Sequence, residues 1–368
     1  MRIDEIYIFS NSIKSLDKTR ATTSSLKFEL DFVKALSKYI KITVLTKALL
    51  VGEVVLEKNI SVVGVSKKGK ISNSAIIDEV RNSNKSALIY YGYDFLFEKK
   101  LCKIKKATKI NVFPFVFDTH KVCVGEYRSF VKRFIVDSYY RLGIKLLKKF
   151  DGALLFQEKA AELLDIRKPY LVLKPGVFES GSVEKNINFD KFKVVFAGSF
   201  TKLNGIDILL KAFTAIEDED VYLNLYGYGP LTDMVKDYSK KFENIEYCGI
   251  VNDKELSEIY SGAQILVNLR KTDDYAMNFS FPSKLFEYLT TCTPVITTKL
   301  LNDKEFLNSV YVLEEITEKN IVKAIYAIKD NYKEYLSRAK QAKRFLINNY
   351  SFDTIALNVI NYIDSLAN

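Results

Sequence analysis

Cysteine and histidine are scarce in this chain, and that scarcity removes whole classes of chemistry. Four cysteines (Cys102, Cys123, Cys248 and Cys292) and one histidine, His120, are spread over 368 residues. Their spacing fits no zinc ribbon or finger. Thiols this few, lying mostly in apolar stretches, are expected to be buried and reduced in a cytoplasmic protein, not paired in disulfides. Long apolar runs are missing too: nothing approaches the ~20 residues of a membrane-spanning helix. The opening MRIDEIYIFSNS carries acids inside its short apolar run, so it reads as a first strand and not as a signal peptide. Nucleic-acid motifs of the helix-turn-helix, zinc-finger or RNP kind are absent as well.

What remains is the composition of a globular protein. Hydrophobic residues make up 48% and charged residues 27%, enough to build real cores, and the length predicts two domains. Charge is divided unevenly between the halves. The net charge is +10, and residues 1–180, with 33 basic and 19 acidic side chains, carry +14 of their own. The remainder is −4. Such an asymmetry points to an anionic partner for the first half. With no nucleic-acid motif present, an anionic membrane surface is favoured.

Apolar strands alternate with amphipathic helices almost throughout. In the first half the pattern predicts strands at 5–9, 42–46, 60–65, 87–91, 109–117, 153–156 and 170–173, with helices at 25–39, 74–82, 95–106 and 158–164. In the second half it predicts strands at 193–197, 222–226, 245–248, 265–269, 295–298 and 310–313. Helices at 206–216, 231–242, 254–261 and 319–329, then a charged helix to 348, lie between and after them. This alternation argues parallel sheets with helices on both faces. Residues 175–191 lose periodicity and carry Gly and Ser, which places a linker there. The last segment, 351–367, has a helical apolar stripe at Ile355, Ala356, Val359, Ile360 and Ile363.

One stretch organises the second half: RKTDDYAMNFSFPSKLFEYLTTCTP, residues 270–294. It leaves a strand, crosses a polar loop and starts a helix at Pro282, where proline has no intrahelical hydrogen bond to lose. The helix presents Lys284 and unpaired backbone N–H groups at the positive end of its dipole. Glu287 follows one turn later on roughly the same face. Such a constellation can hold a diphosphate at its cation and a pair of sugar hydroxyls at its carboxylate.

FPSKLFEYL followed by PVITT resembles the donor-binding segment of GT-B glycosyltransferases of the retaining, glycogen-synthase-like family four. AGSFTKLNGIDILLKAF (residues 197–213) resembles that family's G-R-L-x-x-x-K-G-x-x-x-L-L-x-A-F, and NLYGYGP (224–230) its I-x-G-x-G-P. The three ordered matches span residues 194–298. The resemblance implies an α/β chain with two facing, Rossmann-like, doubly wound domains. Residues 1–178 would bind the acceptor and 179–348 a nucleoside-diphosphate sugar, while 349–368 would return to the first domain. Ligand crevices in such sheets lie at the strand carboxyl ends.

Site residues are carried over by the same resemblance. Lys284 would offset charge on the leaving diphosphate; Arg270, read from its place at the carboxyl end of its strand, is the guanidinium candidate for the same phosphates, with an ion pair to Asp273 or Asp274 as the alternative. Glu287 matches the second glutamate of the family's E-x7-E motif and would accept ribose hydroxyls. Gly198, Gly205, Gly227 and Gly229 would let backbone approach the donor, or simply serve turns. Ser199, Lys202, Asn204, Tyr228, Phe281, Pro282 and Ser283 complete the expected donor site. His120, in FDTHK, resembles an acceptor-side histidine, with Asp118 to orient it or act as a base; a structural loop histidine is the alternative. No DxD-like site or His/Cys cluster stands in a suitable context, so neither metal nor other cofactor is expected. The family's first glutamate falls on Phe279, its arginine on Ser199 and its lysine on Asn204, with Lys202 close enough to compensate. Those departures keep open a catalytically inactive subunit that binds a glycan or a partner glycosyltransferase.

Residues 127–150, YRSFVKRFIVDSYYRLGIKLLKKF, interleave aromatic and aliphatic side chains with basic ones. Arg133, Arg141, Lys145 and Lys149 step in multiples of four, a stripe on a helix. Basic stripes beside aromatic residues make membrane-surface helices; a scaffold helix with a solvated basic face is the alternative. The resulting expectation is a bacterial polysaccharide or glycolipid glycosyltransferase. It would be cytoplasmic, peripheral on the inner membrane face, and would act on a saccharide acceptor linked to lipid pyrophosphate.

Overall fold

A computed structural model of the chain describes residues 3–17, 24–81, 85–117, 119, 129–174, 176–177, 189–271, 283–300 and 304–366. The chain divides into two compact units, one built from Met1–Gly176 and Tyr350–Asn368, the other from Val177–Met277 and Pro282–Asn349.

The first unit is organised on β1 (Glu5–Ser10), buried along its whole length. Its residues alternate between two cores, as strand geometry requires. Ile6 and Ile8 join one cluster, Tyr7 and Phe9 the other. β1 lies between β2 (Lys41–Leu50) and β6 (Ser86–Tyr91), both parallel to it. The sheet continues through β7 (Asn111–Val116), β8 (Ala153–Leu155) and β9 (Tyr170–Val172) on one side. On the other side β2 pairs with β4 (Ile60–Lys67), which carries two antiparallel neighbours, β3 (Val54–Glu57) and β5 (Lys70–Ile71). Those two strands are absent from the sequence reading. β3 is largely exposed and shows no two-residue apolar alternation, so nothing in its pattern distinguishes it from a loop.

Helices cover both faces of this sheet. α1 (Ser24–Leu36) packs with α13 (Phe352–Leu366), whose stripe of Ile355, Ala356, Val359, Ile360 and Ile363 is buried. Tyr362 fixes α13 in place: its hydroxyl donates to the Pro169 carbonyl (2.6 Å) and accepts from the Ala153 amide (3.1 Å). A side chain at Gly152 would meet that hydroxyl, since a Cβ there would lie 2.2 Å from it. On the opposite face lie α2 (Asn73–Val80), α3 (Phe95–Thr108), α4 (Phe130–Leu147) and α5 (Lys159–Leu163). The basic stripe therefore runs along α4 only as far as Lys145. Lys149 falls beyond the helix end, which corrects the expected four-residue stripe.

The α3–α4 pair is joined by polar groups. Asp94 caps α3 by accepting from the Phe97 amide (2.8 Å) and also accepts from the Tyr139 hydroxyl (2.7 Å). Glu98 is fully buried, and its Oε1 accepts from the Tyr90 hydroxyl at 2.9 Å. Its Oε2 is buried with no hydrogen-bond partner among the described residues. Burial, with the Asp94 charge adding to it, pushes the carboxyl up to about 8. The folded state thus holds a proton that the unfolded chain releases near pH 4.5. Stability from this group is full below that pH, declines as pH rises, and is lost once pH passes about 8. The melting temperature of the parent should therefore fall between pH 5 and pH 9. Glu98→Gln, measured by the same melts, should flatten that fall.

The second unit is a six-stranded, wholly parallel sheet in the order β12-β11-β10-β13-β14-β15. Its strands are β10 (Phe192–Ser199), β11 (Val221–Tyr228), β12 (Ile245–Gly249), β13 (Ile265–Asn268), β14 (Val295–Thr298) and β15 (Tyr311–Leu313). α6 (Ile206–Thr214) and α11 (Glu318–Asp330) share a core cluster with β10, β11 and β13. α7 (Thr232–Lys241) follows β11, and α8 (Asp253–Gly262) starts at a capping box in which Asn252 and Glu255 satisfy each other's backbone amides. α9 (Ser283–Leu289) leads to β14, then α10 (Lys304–Ser309), a short helix that the sequence reading lacks, and α12 (Tyr332–Tyr350) ends the unit. The thiols are less uniform than expected. Cys292 is buried, but Cys102 and Cys248 are only half-buried, and Cys123 lies outside the described residues.

Candidate functional site

The site of the second unit is built on glycine at two adjacent strand ends. β10 and β11 run in register so that Gly198 lies beside Gly227. A Cβ on Gly227 would sit 2.0 Å from the Gly198 carbonyl oxygen. Both residues have positive φ, 150° and 131° respectively, a conformation that side chains rarely adopt. Past β11, Gly229 passes the Phe200 backbone so closely that a Cβ would lie 2.6 Å from its carbonyl oxygen. These glycines therefore do more than turn the chain: they let the ends of β10 and β11 meet where a side chain cannot fit.

Lys284 occupies the space that Gly198 leaves. A Cβ on Gly198 would fall 1.6 Å from the Lys284 Nζ. The ammonium donates to the Ala197 carbonyl at 2.8 Å and lies 5.7 Å from the centre of the Phe196 ring. Tyr288, one turn further along α9, places its buried hydroxyl 3.4 Å from both the amide and the carbonyl of Ala197. Burial lowers the Lys284 pKa, Glu287 opposes that shift, and the Arg270 charge adds to it. Two cations thus act on each other with one exposed carboxylate beside them.

Around Lys284 lies a cleft of about 310 Å³, lined by Ser199, Thr201, Leu203, Asn204, Asn268, Arg270 and Lys284. Ser199 ends β10, Asn268 ends β13 and Arg270 stands two residues later, so the cleft opens at strand carboxyl ends. The Arg270 carbonyl accepts from the Thr298 hydroxyl (2.6 Å), which ties the end of β13 to β14. Gly205 begins α6 with φ 66°, and a Cβ there would meet Leu269 at 2.9 Å. Asn204 turns inward to its own loop, donating its side-chain amide to the Ser199 carbonyl (2.7 Å), while its backbone N–H donates to the Thr201 hydroxyl (3.2 Å).

Of the residues expected from sequence, the fold brings Ser199, Asn204, Arg270 and Lys284 into one cleft. Gly198, Gly205, Gly227 and Gly229 frame it by close approach. Lys202, Tyr228 and Glu287 are exposed. Ser283 starts α9. Phe281, Pro282, Asp118 and His120 lie outside the described residues, as do Asp273 and Asp274. Thr201, Leu203, Asn268 and Tyr288 were not expected. Asn268 had a signal, a polar residue closing the apolar strand ILVN, and so did Tyr288, three and four residues from Leu285 and Lys284 on the same helix. Among the described residues no group of three or more His, Cys, Asp or Glu side chains could hold a metal ion, and no helix is long and apolar enough to cross a membrane.

A cleft lined by two cations at strand ends, with the exposed Glu287 carboxylate one turn further along α9, can receive a phosphorylated ligand. Residues 191–331 match the family model for glycosyl transferases group 1. No curated protein matches the chain. Solved structures similar to the whole chain include sucrose-phosphate synthase from Thermosynechococcus elongatus, with TM-score 0.69 and 13% identity, covering 99% of each chain. HepE from Anabaena in complex with UDP is similar with TM-score 0.68 and 11% identity, covering 99% of this chain and 100% of that one. The pneumococcal O-GlcNAc transferase GtfA, in complex with UDP and GlcNAc, gives TM-score 0.64 and 10% identity at 99% coverage of both. The chain therefore has the GT-B fold, and its residues 191–331 are similar to the domain of the group 1 glycosyl transferases.

Proposed function

We propose that the second unit binds a nucleoside-diphosphate sugar and that the chain transfers its sugar to a saccharide acceptor, with retention. The observation that carries this reading is the Lys284 ammonium, seated above Gly198 at the end of β10 with Arg270 beside it. Lysine and arginine so placed stabilise negative charge that grows on the diphosphate as the sugar leaves. They do so without a metal ion. Glu287, one turn past Lys284, accepts the ribose hydroxyls. Ser199, Lys202, Gly205, Tyr228, Gly229, Phe281, Pro282 and Ser283 complete the donor side, and Asp118 and His120 serve the acceptor. The complexes of HepE with UDP and of GtfA with UDP and GlcNAc support a diphosphate donor. The +14 charge of residues 1–180 supports an acceptor linked to lipid pyrophosphate at an anionic, cytoplasmic membrane face. Surface polysaccharide or glycolipid synthesis in a bacterium is the process such a substrate pair serves.

One observation favours a second reading. Asn204, standing where relatives of the family pattern carry lysine, uses its amide on its own loop. A subunit that kept the fold and lost turnover would show such a change. Donor turnover by the purified parent separates the two readings.

Lys284→Ala should still fold cooperatively, yet lose roughly 100-fold in turnover, the scale of one charge-stabilising donor in a transition state. Gly198→Ala keeps the lysine but forces its ammonium away, because the added Cβ would lie 1.6 Å from Nζ. Its turnover should fall comparably. Steady-state rates of both variants, with melting curves to confirm folding, check this. Full activity in Lys284→Ala would move the charge-stabilising role to Arg270 or Lys202.

Glu287→Gln should weaken binding of the donor and of the free nucleoside diphosphate by at least roughly tenfold. A charge-assisted hydrogen bond to ribose is worth about 1.5–3 kcal/mol, and 1.4 kcal/mol is about a factor of ten. A 2′,3′-dideoxyribose analogue should bind parent and variant almost equally. Calorimetry with both ligands is the check; equal affinity of parent and variant for the normal nucleotide would remove Glu287 from the donor site.

A further inference from the structure

α4 begins well before its packing partner does. Tyr139 meets Asp94 and the Leu96 amide at the first turn of α3. A Cβ on Gly143 would contact Glu98 and Phe95. Phe130 lies nine residues before Tyr139, about 13 Å further along the axis at 1.5 Å per residue. The first turns of α4 therefore extend beyond the start of α3. Ser129 caps this end by accepting from the Lys132 amide, which holds the turns helical.

All six residues of this overhang are exposed. Phe130 is 80% exposed, Val131 64%, Phe134 67% and Ile135 60%, and Lys132 and Arg133 are exposed between them. At 100° per residue, Phe130, Val131, Phe134 and Ile135 fall within an arc of about 140°, one apolar face, and Lys132 and Arg133 lie on the other side of the same turns. The cations decide what covers that face. Lys132 and Arg133 sit within the apolar turns, Arg141 and Lys145 continue along the same helix, and residues 1–180 carry +14. A second copy of the chain would bring like charge onto like charge, whereas an anionic bilayer supplies both an apolar interior and negative headgroups.

We propose that the first two turns of α4 insert into an anionic bilayer, with Phe130, Val131, Phe134 and Ile135 below the headgroups and Lys132 and Arg133 reaching up to them. This rests on the reading of the first unit as membrane-facing and not on the sugar chemistry. It goes beyond surface adsorption by charge alone.

The chain contains no tryptophan, so Phe134→Trp places a single reporter on the overhang and Ile250→Trp, at an exposed position of the second unit, places one elsewhere. Each full-length variant is mixed with vesicles of phosphatidylcholine and phosphatidylglycerol, and with vesicles of phosphatidylcholine alone. With the anionic vesicles, the fluorescence of the Phe134→Trp variant should shift to the blue and be quenched by lipid brominated on its acyl chains, while the Ile250→Trp reporter should stay unchanged. The double variant Phe130→Ser/Phe134→Ser should bind these vesicles roughly 100-fold more weakly than the parent in sedimentation, since each substitution removes a large apolar side chain that insertion would bury. Failure of the parent to sediment with anionic vesicles would overturn both this inference and the membrane-facing reading. Sedimentation of the parent with no blue shift at position 134, an equal shift at position 250, or unchanged binding by the double serine variant would overturn insertion while leaving adsorption by charge standing.

Discussion

The second unit depends on a side chain that is not there. At the end of β10, Gly198 leaves its Cβ position empty, and the Lys284 ammonium takes that volume to reach the Ala197 carbonyl. Everything nearby is arranged around this contact. Gly227 and Gly229 let β11 and the following turn close against β10, and α9 delivers both Lys284 and Tyr288 to the same peptide group. The cost is visible in the lysine itself, whose charge is disfavoured by burial and by Arg270. A bound anion removes that cost. A site that is electrostatically uncomfortable when empty is suited to a ligand that brings negative charge.

How much of this was legible in the sequence follows from what each element must bury. The central strands of both sheets are buried on both faces, so they read as apolar runs and were placed to within a few residues. β3, with Leu56 and Val54 exposed at a sheet edge, buries little and left no pattern. α10 is six residues long, too short for a helical period to show. At the site, the glycines and Lys284 were legible because a close approach and a helix start each demand particular residues. The roles of Asn204 and Thr201 were not, because a loop that hydrogen-bonds to itself imposes no repeating pattern. The length of α4 was only partly legible. Periodicity continues through Lys149, while hydrogen bonding stops the helix at Leu147.

The two units divide their charge as they divide their surfaces. The first half of the chain carries the entire basic excess and an apolar overhang on α4. The second half is slightly acidic overall yet concentrates two cations in one cleft. Net charge is a long-range, screened property that governs encounter, whereas the cleft works at contact distance in a partly buried setting. The proposed function, a small diphosphate in one place and an extended anionic surface in another, would draw on both scales.

The most direct test of the donor-site account is the pKa of Lys284 itself, followed by heteronuclear NMR of the lysine side chain with and without UDP, GDP, dTDP and ADP. The account predicts a value below that of an ordinary lysine in the free protein, rising when one of these diphosphates binds, because a nearby anion favours the charged form. An ordinary value in the free protein that none of the four nucleotides moves would contradict it.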